Sequence, residues 1–422
     1  MSEEKQELQP RRRKSIFISS GDVSGDQHAA RLIARLKETE PDIDVWGIGG
    51  NELEKCGVEL LYHAHSLTVV GLAGSIKFIP RLTKIRTHIL AELEKRQPDC
   101  VILVDYGGFN LRMARTIHRR FPNLPIIYFI SPQVWGSRPY RIKTIKENVS
   151  KMLVIFPFEE TLYRSHGVEA HFVGHPITER YADFDRAQAK AAFCDKHNLD
   201  PEKPIVGIFP GSRTHEIVSF MPLLMQAVSW LLKERPQIQF VLSQATPKLS
   251  QLIHDAMSAS KMETVAGRSL KLVPSEDNLG LMAAGDILWT KSGTITLEAT
   301  FCERPMLVYY RADWLSFILF VLFKSVKYVA WPNLLAGRLL VPELIQLDCR
   351  AEQLVRYTRD WLDVPAARAE ISAELKRIKG YLHQGHFASN AAAEVRKTLN
   401  ARDARPLQVT SGASIIKDES VD

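Results

Sequence analysis

The chain has 422 residues, which is too long for one ordinary domain and fits two. Hydrophobic residues make up 45% and charged residues 24%, a balance typical of a globular protein rather than a disordered or membrane-spanning one. The net charge of +7 favours anionic partners such as phosphates, acidic lipid surfaces or nucleic acid, without choosing among them. The five cysteines are scattered and form no CxxC pair, which argues against a disulfide framework or a zinc site.

Both ends of the chain are predicted to be flexible tails. Residues 1–14 lack the apolar stretch of a secretory signal and end in the basic run RRRK. That run could touch an anionic surface, but a solvated tail is the commoner role of such a segment. Residues 403–422 are polar and lack hydrophobic periodicity, so we expect no packed structure there.

In the first part of the chain, short apolar runs alternate with amphipathic patterns. A helix is predicted at 27–37. Strands are predicted at 16–19, 45–48, 101–104, 126–130 and 152–156. This alternation predicts a parallel sheet covered by helices on both faces.

The pattern restarts after a polar, helical stretch near 178–203. The second series of strands is predicted at 204–209, 238–242, 270–273, 286–289 and 305–309. We therefore predict an α/β fold of two Rossmann-like, doubly wound domains with a cleft between them, since ligands bind at the carboxyl ends of such strands. The predicted domains are 15–180 and 181–380, followed by a helix at 381–402 that packs back toward the N-terminal domain.

Two small-residue turns in the second domain are candidate phosphate sites. The first, PGSR at 210–213, follows a strand and precedes a helix, so its N–H groups and the helix N-terminus could bind an anion. Gly211 allows close approach, Ser212 can donate, and Arg213 can clamp an oxyanion. An ordinary turn with a surface arginine is the alternative.

The second turn follows the strand at 286–289. Ser292, Gly293 and Thr294 could meet phosphate there, and Glu298 lies one helical turn further on, where it could accept hydrogen bonds from ribose. A capped helix with a solvated glutamate is the alternative. Two such turns in one domain favour a nucleotide diphosphate site more than either turn alone.

The first domain carries carboxylates after its strands. The segment SSGDVSGDQH at 19–28 supplies Asp22, Ser24, Gly25, Asp26 and His28, and it lacks both GxGxxG and the P-loop ending. A helix cap for Asp26 and a turn for Asp22 are the structural alternatives. Because both of those glycine motifs are absent, the segment predicts neither a dinucleotide site nor an ATPase.

The segment VDYGGFN contains Asp105 at the carboxyl end of a strand, where a carboxylate could deprotonate a sugar hydroxyl. An Asx turn is the structural alternative for Asp105. Further along, Gln133 and Trp135 suit a sugar–phosphate pocket, although Trp135 could equally belong to the core. His175 has no second ligand at helical spacing, which argues against a metal.

One apolar run raises a membrane question. The run at 314–323 is about ten residues long, whereas a spanning helix needs roughly twenty. Lysines and the aromatic residues Tyr328 and Trp331 follow it, a combination typical of the headgroup zone. The sequence leaves a buried helix and an interfacial helix equally open.

Together these sequence motifs and several neighbouring segments resemble those of the lipid-A-disaccharide synthase family. The resemblance runs in family order from about residue 15 to 395. The similar segments are SSGDVSGDQH, WGIGG, VDYGGFN, YFISPQVWGSR, FPFEE, FVGHPI, FPGSRTHEI, SGTITLEA and YVAWPNLLAGRLLVPELIQ.

The resemblance implies a GT-B fold and an inverting glycosyltransferase. The implied reaction condenses UDP-2,3-diacylglucosamine with 2,3-diacylglucosamine 1-phosphate to give the lipid A disaccharide 1-phosphate and UDP. No cofactor or metal is implied. The implied location is the cytoplasmic face of the inner membrane, with residues 314–331 as a candidate contact. No nucleic-acid partner is expected, and a homo-oligomer is left open.

The resemblance also assigns residues to the two substrates. We expect Asp105 to be the general base, Asp26 to be the second candidate, and Arg213 to stabilise the leaving group. The expected donor-binding residues are Gly211, Ser212, Arg213, Ser292, Gly293, Thr294, Glu298, Asn333, Arg338, Glu343 and Gln346. The expected acceptor-side residues are Asp22, Ser24, Gly25, Asn110, Gln133, Trp135 and His175.

Three positions depart from the family pattern. Asp22 stands where the family usually has glutamate, and Gly74 and Gly108 stand at usually acidic positions. These departures leave the exact acceptor open. The alternatives are a UDP-sugar epimerase or hydrolase, and a non-catalytic paralogue that binds a UDP-sugar or a membrane.

Overall fold

The computed structural model describes residues 13–67, 72–137, 139–244, 246–260, 269–313, 317, 326–383 and 385–402. The predicted tails, except for residues 13 and 14, lie outside this description, as does the apolar run apart from Phe317. The chain divides into two compact units by its internal contacts. The N-terminal unit contains 1–134, 138–176 and 384–422, and the C-terminal unit contains 135–137 and 177–383.

A seven-stranded parallel sheet forms the centre of the N-terminal unit. Its spatial order is β3-β2-β1-β4-β5-β6-β7. The strands are β1 Ser15–Ser20, β2 Asp44–Gly49, β3 Glu59–His63, β4 Cys100–Val104, β5 Ile126–Phe129, β6 Lys151–Val154 and β7 Ala170–Phe172. The central strand β4, with the sequence CVILV, is buried along its whole length, as expected for a parallel strand covered on both faces.

Helices cover both faces of this sheet. They are α1 Val23–Thr39, α2 Asn51–Lys55, α3 Leu72–Arg96, α4 Gly107–Arg120, α6 Arg141–Asn148 and α7 Pro157–Ser165. The short helix α5 Val134–Ser137 lies between α4 and α6 in the chain and, apart from Val134, belongs to the C-terminal unit. One apolar cluster packs Ile85 and Ile117 against Phe17 and Trp46, and a second packs Ile33 against Ile102. Gly74 lies in α3.

The C-terminal unit has a six-stranded parallel sheet. Its order is β10-β9-β8-β11-β12-β13. The strands are β8 Ile205–Phe209, β9 Gln239–Gln244, β10 Leu270–Pro274, β11 Ile287–Lys291, β12 Met306–Tyr310 and β13 Glu343–Ile345. The helices are α8 Ile177–Arg180, α9 Arg186–Lys196, α10 Thr214–Glu234, α11 Ser250–Ala259, α12 Asn278–Ala284, α13 Thr294–Phe301, α14 Trp331–Ala336, α15 Ala351–Asp363 and α16 Pro365–Leu382.

Helix α10 is the one described helix that is long and apolar enough to cross a membrane by length and composition. In this fold it is a core helix, because Ile217, Leu224 and Leu231 are fully buried against strands of the second sheet. Its apolar character therefore has a structural explanation in the packing of the C-terminal unit.

The last described helix, α17 at Phe387–Arg402, belongs to the N-terminal unit and packs against α1. Phe387, Val395 and Leu399 join the apolar cluster beneath α1. The Lys151 ammonium on β6 also lies 3.2 Å from the Glu394 carboxylate of α17. The last described helix thus packs against the first helix of the chain and is part of the N-terminal unit.

Candidate active site

Each sheet has one point where the strand order reverses. In the N-terminal unit the reversal lies between β1 and β4, and in the C-terminal unit it lies between β8 and β11. Loops after such strands open a crevice at the carboxyl edge, which is where doubly wound sheets bind ligands. The four loops singled out in the sequence, at 21–22, 105–106, 210–213 and 292–293, follow these four strands.

Asp105 follows β4 on a turn that is unusual for its residue types. Asp105 and Tyr106 both have left-handed backbone angles, with φ of 42° and 48°. Such angles cost free energy for residues other than glycine, so the surroundings must hold them. Here the Asp105 carbonyl oxygen accepts hydrogen bonds from Asn110 Nδ2 at 2.9 Å and from the Tyr128 hydroxyl. The Tyr106 ring packs on Gly21, where a Cβ would lie 2.3 Å from the ring.

The carboxyl group of Asp105 has a pKa close to neutral pH. Burial, followed by the negative charge of Asp22, raises the pKa of Asp105 to about 6. A hydrogen bond from the Tyr106 backbone opposes this shift. A base whose pKa lies near the working pH is efficient, because it is ionised and still basic.

Asp22 and Asp26 have separate tasks at the start of α1. Asp22 is the N-cap, and its Oδ1 accepts from the Gly25 N–H at 2.6 Å. Asp26 is buried, and its oxygens accept from the N–H groups of Gly50 at 2.6 Å and Glu52 at 2.9 Å. Asp26 therefore anchors the start of α2. This corrects its expected role as second general base, because backbone donors already occupy its carboxylate.

Asn110 also differs from its expected role. The side chain is fully buried, its Oδ1 accepts from the Ser19 hydroxyl at 2.9 Å, and its Nδ2 donates to the carbonyls of Val104 and Asp105. Asn110 thus ties the ends of β1 and β4 together beneath the Asp105 turn. We assign it a positioning role instead of direct contact with the acceptor.

Two histidines lie near this loop as neutral imidazoles. Burial, followed by repulsion from Arg31, lowers the pKa of His28 to about 4. Burial and the neighbouring His28 lower the pKa of His175 to about 3. His28 Nε2 lies 3.4 Å from the exposed Ser24 hydroxyl. These groups can exchange hydrogen bonds, but they add no positive charge at neutral pH.

The two remaining acceptor-side candidates are placed differently. Gln133 is exposed in the loop before α5. Trp135 belongs to the C-terminal unit, where its ring lies 5.8 Å from that of Trp331 in an edge-to-face arrangement. Trp135 thus clusters with the C-terminal unit and not with the predicted acceptor-side domain, and its expected contact with the acceptor stays a prediction.

The PGSR loop is held by a residue that the sequence analysis did not select. Glu216 Oε2 accepts from the N–H groups of Ser212 at 2.8 Å and Arg213 at 3.3 Å. Gly211 has a φ of 123°, and a Cβ there would lie 2.6 Å from Glu216 Oε2. Two N–H groups that we expected to meet phosphate are thus bound to Glu216. The side chains of Ser212 and Arg213 remain exposed.

The second turn lies beside the first, because β11 pairs directly with β8. Gly293 has a φ of 148° and caps α13, and Thr294 is exposed in the first helical turn. The Ser292 hydroxyl donates to the Val329 carbonyl at 3.0 Å. The two turns thus lie at the same edge of one sheet, and the nucleotide diphosphate site that they suggest stays a prediction.

Glu298 lies one turn into α13, half-buried, with its Oε1 3.1 Å from Arg180 Nη1. Burial raises the pKa of Glu298, and the Arg180 guanidinium opposes that shift. The carboxylate is therefore paired with a cation as well as placed near the second turn.

Three of the predicted donor-binding residues, Asn333, Glu343 and Gln346, form hydrogen bonds to other parts of the C-terminal unit. The buried Asn333 donates to the Val341 carbonyl and to Glu343, and its Oδ1 accepts from the N–H groups of Leu340 and Val341. Glu343 accepts from the N–H groups of residues 329 and 330, and Gln346 bonds both backbone groups of residue 312.

Asn333 has no hydrogen-bonding capacity left for a ligand, since both its donors and both acceptor sites are used. Its expected contact with the donor is therefore wrong, and we assign it a structural role. Arg338 is exposed and lies 2.9 Å from Glu374.

Replacing Asn333 with alanine tests this reassignment. The change leaves buried backbone N–H and C=O groups without partners, so we expect a loss of about 2–4 kcal/mol in the free energy of unfolding. Urea unfolding monitored by fluorescence measures it. The exposed Arg338→Ala change is the control, with an expected loss within about 0.5 kcal/mol. An Asn333→Ala protein with unchanged stability and weakened donor binding would restore the original assignment.

The described residues contain no group of three or more His, Cys, Asp or Glu side chains that could hold a metal ion. Asp185 caps α9, because its side chain accepts from the N–H groups of Ala187 and Gln188.

The site residues that sequence reasoning missed are Tyr106, Glu216 and Lys291. Lys291 Nζ lies 2.6 Å from Glu216 Oε1. The spacing of Glu216, three residues after the helix cap, is the pattern of a capping box and could have indicated its role. The ion pair joins residues far apart in sequence, and only the strand order brings them together.

Two doubly wound parallel sheets, each with its candidate loops at the point of strand reversal, define a protein of the GT-B fold class. Solved structures of that class are similar over most of the chain. A UDP-GlcNAc 2-epimerase from Neisseria meningitidis bound to UDP-GlcNAc has a TM-score of 0.54 at 14% identity, covering 92% of this chain and 99% of that one. The S. aureus MnaA–UDP co-structure has a TM-score of 0.58 at 14% identity, covering 93% and 99%. These likenesses show the fold.

The family model described as lipid-A-disaccharide synthetase matches residues 16–381. Lipid-A-disaccharide synthase 1 of Legionella pneumophila (strain Lens) is 34% identical, covering 86% of this chain and 92% of the relative. Lipid-A-disaccharide synthase of Myxococcus xanthus is 35% identical, covering 91% and 97%. The chain belongs to the lipid-A-disaccharide synthetase family and is a glycosyltransferase of lipid A biosynthesis.

Proposed function

We propose that this enzyme transfers a 2,3-diacylglucosamine unit from UDP to 2,3-diacylglucosamine 1-phosphate, with inversion at the anomeric carbon. Membership of the family supports the reaction, since relatives named for it match more than four-fifths of the chain. The structural observation that carries the assignment is Asp105. It is a carboxylate at a strand-reversal point with a pKa raised to about 6 and a turn held in a strained conformation.

Transfer proceeds by a single displacement. The Asp105 carboxylate takes the proton of the acceptor hydroxyl, and the resulting oxygen nucleophile forms a bond to the anomeric carbon of the donor. The bond from that carbon to the diphosphate oxygen breaks, and its electron pair leaves with UDP. One proton thus ends on Asp105 and one negative charge is added to the leaving diphosphate.

The leaving diphosphate needs donors and positive charge. In the proposed site the exposed side chains of Ser212, Arg213 and Thr294 provide them, together with the N–H groups in the first turn of α13. The N–H groups are held in place by the helix itself, so they stabilise the developing charge with little reorganisation. Side-chain cations and a helix terminus serve here in place of a metal, and Glu298 binds the ribose.

The acceptor side has open space where a second carboxylate would stand in the family pattern. Gly108 is exposed, and a Cβ built on it would meet no atom within 4 Å. A side chain at this position would fit without rearrangement. The proposed enzyme therefore works with Asp105 as its one carboxylate on this loop, and Asp22 tunes the pKa of that group.

Both proposed substrates carry acyl chains, so the enzyme works at the cytoplasmic face of the inner membrane. The net charge of +7 favours an anionic leaflet. Residues 314–331 are the proposed contact, and Lys327, exposed next to the Tyr328 ring, is one described cation in that segment. Sedimentation with anionic and with neutral vesicles tests this location, and equal binding to both would contradict it.

The reaction is tested with purified protein and the two acylated glucosamine substrates. Formation of disaccharide and UDP in equal amounts is expected. UDP release without acceptor would instead favour a hydrolase on the same fold. The absence of both products, with UDP still bound, would favour a non-catalytic binding protein.

A further inference from the structure

Lys291 lies next to both loops of the proposed donor site, although the sequence motifs do not select it. It is the last residue of β11, and the register between β11 and β8 pairs Thr290 with Phe209. Lys291 therefore lies beside the PGSR loop, which begins one residue after Phe209. Its Nζ atom is 2.6 Å from Glu216 Oε1.

Glu216 ties this lysine to the loop. One oxygen of the carboxylate contacts Lys291, and the other accepts from the N–H groups of Ser212 and Arg213. The Glu216 side chain is only 4% exposed. Burial alone would raise the pKa of Glu216, but the Lys291 ammonium and the two N–H groups lower it below its ordinary value.

The tight packing around Gly211 makes this arrangement a fixed part of the loop. A Cβ at Gly211 would lie 2.7 Å from Glu216 Cβ as well as 2.6 Å from Oε2, so loop and glutamate touch without spare room. The N–H groups of Ser212 and Arg213 are consequently engaged, and a diphosphate must find other donors at this edge of the sheet.

The Lys291 ammonium has donors to offer. It carries three N–H groups, and its bond to Glu216 uses one of them. Its side chain remains 23% exposed, whereas its partner is almost fully buried. Lys291 thus presents a cation at the carboxyl edge of β11, between the turn after β8 and the turn after its own strand.

We propose that Lys291 binds the diphosphate of the nucleotide-sugar donor, and that Glu216 is the positioning residue that aims it while holding the PGSR loop. The proposal rests on the proposed function, because it takes a nucleoside diphosphate as the ligand. The Lys291 ammonium then acts together with the Arg213 guanidinium, and both positive charges stabilise the oxygen that leaves with UDP.

Calorimetric binding of UDP, UMP and uridine tests the contact. Lys291→Met is expected to lower the affinity for UDP about 10- to 100-fold, which is the usual loss for one charge-assisted hydrogen bond. The affinity for UMP should fall less, because UMP has one phosphate, and the affinity for uridine should equal that of the wild type. Unchanged UDP affinity, or an equal loss for uridine, would overturn the proposal.

A double variant separates phosphate binding from neutralisation of Glu216. Lys291→Met alone leaves a buried carboxylate without its counter-charge, which could disturb the fold. In Lys291→Met/Glu216→Gln no uncompensated charge remains, and the glutamine carbonyl can still accept from the loop. UDP should remain about 10- to 100-fold weaker in this variant. Recovery of wild-type affinity would show that Lys291 serves only to neutralise Glu216.

Lys379→Met is the matched control, since Lys379 also forms a half-buried ion pair in the C-terminal unit, 3.2 Å from Glu303. It should leave UDP binding unchanged, and a loss as large as that of Lys291→Met would overturn the proposal. Wild-type protein that binds no UDP would refute the proposed function itself. Wild-type binding with an unaffected double variant would refute only the role of Lys291.

Discussion

Asp105→Asn is expected to lower kcat by about 10²- to 10⁴-fold, the usual contribution of a general base. Asparagine has nearly the same shape, so it should keep the turn, whose strained backbone is held through the Asp105 carbonyl oxygen rather than through the carboxylate. UDP should bind with unchanged affinity, since the proposed donor loops lie in the C-terminal unit. Disaccharide formation and calorimetric UDP binding measure the two effects. A variant with wild-type kcat would show that Asp105 is not the base.

The pH dependence of kcat/KM provides a second test of Asp105. Asp105 must be ionised to accept a proton, and its pKa is raised to about 6. The value of kcat/KM should therefore fall about tenfold per pH unit well below 6 and level off above it.

Asp22→Asn is the matched control. It removes the charge that helps to raise the pKa of Asp105 and keeps an oxygen to cap α1. We expect the acid limb of the profile to move to lower pH. A limb that does not move, or moves upward, would contradict the coupling between these two carboxyl groups.

Phe387→Ala is expected to destabilise the N-terminal unit by about 3–5 kcal/mol, the usual range for a buried phenylalanine. Phe387 is fully buried at the start of α17. Its ring stacks on Phe129 at 5.3 Å and meets the His28 ring edge-on at 5.8 Å. Its removal therefore opens a cavity between α17, β5 and α1.

Hydrogen exchange can locate the effect as well as measure it. Exchange should become faster in β1 and α1 and stay unchanged in β8 and α10, which belong to the other unit. Tyr140→Ala is the control, because Tyr140 is 70% exposed in the N-terminal unit, and it should change stability by less than about 0.5 kcal/mol. Uniformly faster exchange in both units would contradict a local role for Phe387.

Much of the fold could be predicted because buried parallel strands have a strong signal. β4 and β8 are continuous apolar runs followed by glycine-containing loops, and both predictions are confirmed. β3, β7 and β13 were missed. They are short, lie at sheet edges and are half-exposed in part, so neither an apolar run nor clean alternation marks them.

The candidate site was predictable where the function of a residue follows from its place after a strand. Asp105 and the loops after β8 and β11 are of this kind. Asp26, Asn110 and Asn333 were assigned to ligands because they stand in specific motifs. The structure shows their side chains bonded to backbone groups, and a motif in sequence does not distinguish a residue that touches a ligand from one that holds the loop.

The position of α17 determines when the protein can finish folding during synthesis. The strands of the N-terminal unit leave the ribosome first, but the helix that covers Ile33 and Phe129 is encoded after the whole C-terminal unit. Until residue 402 has emerged, the nascent chain carries an uncovered apolar surface beside α1. The C-terminal unit, which is continuous from 177 to 383, has all but three of its residues in one stretch and can complete its sheet earlier. A nascent chain from which residue 383 has emerged, while α17 is still inside the ribosome, should therefore hold a folded second half and an unfinished first half.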